Sequence, residues 1–207
     1  MPPRRSHHIG RKAGATLLHA PRTANAIGRP LNTFVTIDFW KLGSDAESLF
    51  HDFAALRSEW FQRWSSYRDR NGPPTYTYVH EAPNENPHTH WLVHVKPENR
   101  QEFELKLARW LARRSGLDAL PHGVLHVQDA RAEGAKLYMA KGLDPRYATL
   151  WRIVAEDGGV IAHRRADTSR NLGPTVWQPL KAAYKAERRR SSRRSALARP
   201  SAASPLS

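Results

Sequence analysis

Cysteine is absent from all 207 residues. Disulfides, thiol nucleophiles and cysteine-based zinc sites are thereby excluded, and the composition fits a reducing compartment. Long apolar runs are missing as well: nowhere do the ~18 consecutive apolar residues of a membrane span occur. The opening MPPRRSHHIGRKAG has no apolar segment of the kind a secretory signal needs, so the cytoplasm is the expected location. There is no GxxxxGK[ST] phosphate loop, so no attached ATPase domain is expected. Acid is in short supply, with 19 Asp and Glu against 33 Lys and Arg, a formal net charge of +14.

That excess is unevenly placed. Residues 1–30 hold six Lys and Arg with no acid, and 181–207 hold eight with one Glu. Residues 31–180 are nearly balanced, 19 basic against 18 acidic. The expected organisation is a central domain, 31–180, between a flexible basic arm, 1–30, and a disordered basic tail, 181–207. Such arms bind polyanions through phosphate contacts, here from Arg4, Arg5, Arg11, Lys12, Arg188, Arg189, Arg190, Arg193 and Arg194. Simple solvated tails are the alternative.

Between the arms, β-like and helix-like patterns alternate. NTFVTIDFW (32–40) reads as a strand. Ser44 and Glu47 then form a capping box for a helix with Leu49, Phe53, Leu56, Trp60 and Trp64 at helical spacing. TYTYVHEA and HTHWLVHV form a hairpin across PNEN, and Phe103, Leu107, Trp110 and Leu111 share one face of a second helix stopped by Gly116. GVLHVQDA is a fourth strand, 131–143 a short helix, and 149–165 a weaker hairpin turning at Gly158-Gly159. A last helix starts near Pro179 and runs into the basic tail. The β-α-β-β-α-β order predicts an α+β fold: an antiparallel sheet of four to five strands, ferredoxin-like, with helices on one face and the other face open.

The third strand carries the first chemical signal. Side chains alternate along a strand, so His88, His90, Leu92 and His94 share one face and Thr89, Trp91, Val93 and Val95 the other. His88 and His90 would project side by side, roughly 6.5–7 Å apart at ~3.3 Å per residue, close enough to converge on one cation. Glu81 ends the preceding strand and can come round the turn to the same ion, with Asp38 and His126 as further candidates. Two histidines and a carboxylate suit Mn²⁺, Mg²⁺ or Zn²⁺. A sheet face that is merely rich in histidine is the plainer reading.

Downstream, Tyr138 and Lys141 lie three apart on a helix and can point to one place. The phenol needs a cation or a polarised phosphate nearby to act as a nucleophile, and Lys141 can hold a phosphate as a point charge. Tyr147 is a reserve nucleophile without a lysine three residues on.

In this order, FVTIDFW, His88-Thr89-His90 and Tyr138-x-x-Lys141 resemble the three motifs of the HUH endonucleases over residues 32–143. These are rolling-circle replication initiators of plasmids and single-stranded DNA viruses, with related relaxases and transposases; the single tyrosine resembles their one-tyrosine branch. Thr89 stands where the family has an apolar residue. A polar residue often follows four positions after the second histidine, which falls on His94. The resemblance implies a divalent metal, Mn²⁺ or Mg²⁺ with Zn²⁺ also suitable, held by His88, His90 and Glu81, with His94 and Asp38 as reserves. It implies a 5′-phosphotyrosine link on Tyr138, with Lys141 steadying the phosphate. Single-stranded DNA at a replication origin would be the substrate and a host helicase the partner, without a membrane or a small-molecule cofactor. A non-catalytic nucleic-acid-binding protein, stacking bases on the aromatics of TYTYVH, is the competing expectation.

Overall fold

A computed structural model describes residues 4–67 and 70–197. The fold is α+β, built on a five-stranded antiparallel sheet. Strand β1 (Arg5–Ser6) is followed by α1 (Arg11–Ala26), β2 (Thr33–Ile37), α2 (Leu49–Ala55) and α3 (Gln62–Ser66). Then come β3 (Tyr76–Glu81), β4 (His88–Val93), α4 (Arg100–Arg114), β5 (Leu125–Asp129) and α5 (Ala132–Met139). Short α6 (Pro145–Ala148), β6 (Ile161–Ala162), β7 (Ala166–Thr168) and long α7 (Pro174–Leu197) complete the chain. The main sheet has the order β5-β2-β4-β3-β7, and β1 pairs with β6 apart from it. Among the described residues no helix is long and apolar enough to cross a membrane.

Alternation along the strands divides the core in two. Val35, Ile37, Tyr78, Trp91 and Val93 point to one face, where Phe53, Phe61, Phe103, Leu107 and Leu111 of the helical segments cover them. The β3 aromatics belong to this face: Tyr78 is 1% exposed, which takes it out of reach of any nucleic-acid base. Phe34, Val79 and Leu92 point the other way. That face was expected to be open, and it is not. Leu17, Ala20 and Ala24 of α1 pack on it, with Met139, Ala140 and Leu143 from the α5 region. The amino-terminal residues are thus a structural helix rather than a flexible arm. Their small side chains explain why no strong apolar stripe announced it: at Gly14 a Cβ would lie 2.3 Å from Leu143 Cδ2, so glycine lets the helix approach closely.

Both termini are tied down further than their composition implied. Arg5 and Ser6 pair with Ala162 and Ile161, and Ile9 N–H donates to Gly142 O at 2.8 Å. Arg29 donates through Nε to Thr75 Oγ1 (2.7 Å) and through NH2 to Asn71 O (2.6 Å), so its charge belongs to a loop anchor. At the other end the tail expected to be disordered from 181 is helical to Leu197, with Arg188, Arg189 and Arg190 exposed. Arg193 and Arg194 lie in the same helix. Residues 198–207 fall outside the described residues.

Local details also shift. Helix α2 begins after Ser48, and Asp45 rather than a Ser44–Glu47 box receives the turn's amides, from Glu47 N (3.0 Å) and Ser48 N (2.7 Å). Leu56–Phe61 is a π-helical turn, which inserts an extra residue into the helix. The fully buried residues there are Leu56 and Phe61, and Trp60, expected in the core, is only half-buried at the outer surface. Residues 149–165 do not make a hairpin. Ala82 N–H donates to Gly158 O at 2.8 Å, and Gly159 adopts φ +69° where a Cβ would sit 1.9 Å from Ala82 O.

Two outcomes follow for stability. Gly159→Ala should lower the free energy of unfolding by about 1–3 kcal/mol, whereas Gly134→Ala, in open space within α5, should raise it by up to about 1 kcal/mol. Urea titration of both variants measures the contrast. The second concerns acid. Burial, helped by Arg57 and Arg165, holds the wholly enclosed His80 far below the usual histidine range, and burial lowers His90 and His94 as well. The unfolded chain takes up protons near pH 6.5 that the folded chain refuses. Stability is therefore complete above that pH and should fall below it by up to about 1.4 kcal/mol per pH unit for each such histidine. Urea midpoints at pH 7.5 and 5.5 in chelator check the direction.

Candidate metal centre

The β3–β4 hairpin register brings the acidic and imidazole groups together. Glu81 lies directly across from His88, Val79 from His90, and Thr36 of β2 from His90 on the other side. Because the strands alternate, Glu81, His88 and His90 share the face toward α5. The β3–β4 turn reverses within 82–87 through Asn84 (φ 52°) and Glu85 (φ 61°), left-handed conformations that keep it compact.

One ligand atom from each of these three residues lies within 4.8 Å of the others. His88 Nε2 is 3.4 Å and His90 Nε2 3.7 Å from Glu81 Oε2. A cation with ~2.1 Å bonds at tetrahedral angles separates its donors by about 3.4 Å, so these spacings suit a shared ion. The unused nitrogens are already engaged: His90 Nδ1 is 3.1 Å from Thr36 Oγ1, and His88 Nδ1 donates to Asn86 O at 3.1 Å. Each bond fixes its ring with Nε2 turned to Glu81. Glu81 Oε1 and His90 Nε2 are buried with no hydrogen-bond partner. An ion shared with Glu81 Oε2 would satisfy His90 Nε2.

Electrostatics agree with anion and neutral imidazole, the forms a metal needs. Burial pushes the Glu81 carboxyl up, but His88, His90 and Lys141 outweigh it and hold it well below the usual carboxylate range. Burial lowers His90, and Glu81 only partly offsets that. For Lys141 burial pulls down, while Glu81 and Glu156 raise it further, so it stays charged. Its Nζ lies 3.5 Å from Glu81 Oε2 and 3.4 Å from Glu156 Oε2.

Tyr138 completes the setting. Its ring stands edge-on to His90, centroids 5.0 Å apart, and edge-on to Phe34 at 6.1 Å, while Lys141 Nζ sits 4.6 Å from its centroid. Tyr138 is 48% exposed, so a substrate can reach it. Thus Glu81, His88, His90, Tyr138 and Lys141 are brought together. The reserves are not. His94 lies beyond the end of β4, with Nδ1 2.8 Å from Pro30 O, and Asp38 pairs with Lys41 at 3.1 Å. His126 is exposed, its Nε2 near Gly123 O at 3.2 Å, and Tyr147 sits on α6 beside Arg146. Arg4, Arg5, Arg11 and Lys12 are exposed on the surface, not gathered in a free arm.

Several participants had no signal in the sequence. Thr36 counts only once β2 is known to flank His90, and Asn86 acts through its backbone. Glu156 belongs to an irregular segment, its amide fixed to Lys141 O at 2.7 Å. Arg165 is buried and donates to Ser6 O (2.8 Å), Gly158 O (3.2 Å) and Gly159 O, tying the amino-terminal strand to the loop beside Glu81. Burial lowers its pKa to about 10, leaving it charged.

No protein-family model matches the chain, and no curated protein matches it.

Titration calorimetry with Mn²⁺ and Zn²⁺ should find one site per chain, weakened severely in His88→Ala. Thr36→Val keeps every ligand but frees His90 Nδ1, and should weaken binding ~10–100-fold. Saturating metal at 100 times Kd should stabilise the wild type by about 2.7 kcal/mol.

Proposed function

We propose that this protein nicks and rejoins single-stranded DNA in the manner of the HUH endonucleases, as an initiator of rolling-circle replication. The observation that carries the reading is the juxtaposition of the Glu81–His88–His90 cluster with an exposed tyrosine whose ring contacts one of the histidines. The strand order β5-β2-β4-β3 is that of a ferredoxin-like β-α-β-β-α-β unit, which is compatible with the family and extended here by β7.

A divalent ion at the cluster would act as a Lewis acid on a non-bridging phosphate oxygen. The remaining steps fall to the chain's own residues. Tyr138 Oη attacks the scissile phosphorus, the bond from phosphorus to O3′ breaks, and the phenolic proton ends on the released 3′-hydroxyl. The 5′ end is then esterified to Tyr138. Because one phosphate ester replaces another, a second 3′-hydroxyl can reverse the step and join strands without an external energy source. Lys141 holds Glu81 ionised and presents its ammonium beside the tyrosine ring, where it would oppose charge on the transferred phosphoryl group.

Mobilisation or transposition would use the same chemistry. In each case the substrate is single-stranded DNA, with opening of the duplex left to a host helicase. A non-catalytic DNA-binding reading is favoured by one observation: Lys141 already compensates Glu81 without any metal.

Incubation with origin-derived single-stranded oligonucleotides and Mn²⁺, followed by denaturing electrophoresis, should reveal a covalent adduct. Tyr138→Phe should abolish it, by at least ~10³-fold, with DNA affinity unchanged, and chelator should do the same. DNA binding without an adduct would support the non-catalytic reading instead.

A further inference from the structure

The π-helical turn at Leu56–Phe61 has a consequence on the far side of the sheet from the metal cluster. By seating Phe61 in the core it leaves Trp60 at the surface between α3 and α4. There Trp60, Trp64, Tyr67 and Trp110 line a groove of about 470 Å³. The rings of Trp60 and Trp64 are stacked 5.9 Å apart at 19°; Trp64 itself is buried in the core, Trp60 and Trp110 are half-buried, and Tyr67 is 55% exposed, so Trp60, Trp110 and Tyr67 carry the accessible faces. π-turns of this kind are frequent where a helix serves a functional site.

Cations border the same aromatics. Arg63, Arg109 and Arg113 line the groove and have no acidic partner among the described residues. Arg109 and Arg113 are four apart on α4 and share a face. Arg70 and Lys106 also line it and divide the single carboxylate of Glu102, while Glu59 is the acid on the rim. In a central domain whose charges almost cancel, five cations against two acids among the described residues is a local concentration.

We propose that this groove binds a segment of single-stranded nucleic acid, with bases stacking on Trp110 and its neighbours and phosphates on Arg63, Arg109 and Arg113. The two features together select the occupant. An apolar helix would leave the guanidinium groups without counter-charge, and an acidic peptide would use the cations but not the flat ring faces. A strand of nucleotides offers a phosphate and a π-face at every residue. The inference goes beyond the nicking reaction and does not depend on Tyr138 or on a metal.

Fluorescence anisotropy with labelled oligothymidine, in chelator, tests it on the full chain. Trp110→Ala should weaken binding about tenfold or more and leave inorganic polyphosphate binding as in the wild type. Arg109→Ala combined with Arg113→Ala should flatten the dependence of log affinity on log salt by about 1.4, two phosphate contacts at ~0.7 each. A far-UV circular dichroism spectrum and a urea midpoint unchanged from the wild type certify that the variants are folded. Wild-type affinity for oligothymidine in Trp110→Ala would overturn the proposal. So would equal losses for oligothymidine and polyphosphate, or displacement of oligothymidine by poly-glutamate at matched charge with the same sensitivity to Trp110→Ala. Failure of the tyrosine adduct would leave this result untouched, since no cleavage is measured.

Discussion

A carboxylate at 1% exposure is the constraint around which this molecule is arranged. Burying an ionised Glu81 without compensation would cost several kcal/mol and drive it to take up a proton. Instead the strand register sets two imidazoles opposite and beside it, and the turn after α5 supplies Lys141. Arg165, itself buried, adds positive charge from below and clamps the 158–159 loop against Ala82. The compensation is incomplete in one telling respect: Glu81 Oε1 and His90 Nε2 still lack partners. Polar capacity thus stays unmet in a Glu81–His88–His90 group whose ligand atoms are close enough to hold a metal ion.

The rest of the fold serves to hold that geometry. Strands β2 and β4 are central and buried on both faces, so the Thr36–His90 contact is set by the sheet and not by a loop. Packing of α1 and α5 on the second face gives the histidines dry surroundings yet leaves Tyr138 at the rim. Access to the cluster therefore comes past the exposed Tyr138. The opposite helical layer seals the larger aromatic core and, through its π-turn, turns Trp60 outward into a second, basic and aromatic surface.

Period-2 alternation in HTHWLVHV was enough to read which side chains of β4 share a face, and Glu81 followed from the short turn. Those residues were legible because a hairpin is a local object. The covered second face was not. Its helix α1 carries Gly, Ala, Thr and a proline at Pro21, so its buried side is small rather than strongly apolar, and its arginines imitate a tail. Trp60 was assigned to the core because helical spacing cannot foresee an inserted residue. His94 and Asp38 had the right chemistry and the right parity, but each is held elsewhere, by Pro30 O and by Lys41. Pro30 lies 64 residues from His94 and becomes visible only with the tertiary fold, whereas Lys41 is three residues from Asp38, in the short helical turn that ends β2.

The central claim, that Glu81, His88 and His90 hold one divalent ion, is tested most directly by anomalous diffraction from crystals soaked in Mn²⁺. The account requires a single peak about 2.0–2.3 Å from a Glu81 oxygen and from both Nε2 atoms, with Lys141 displaced from Glu81 toward Glu156. A site without anomalous density, with the Lys141–Glu81 pair intact at saturating metal, would contradict it and leave the cluster as an internally neutralised piece of the fold.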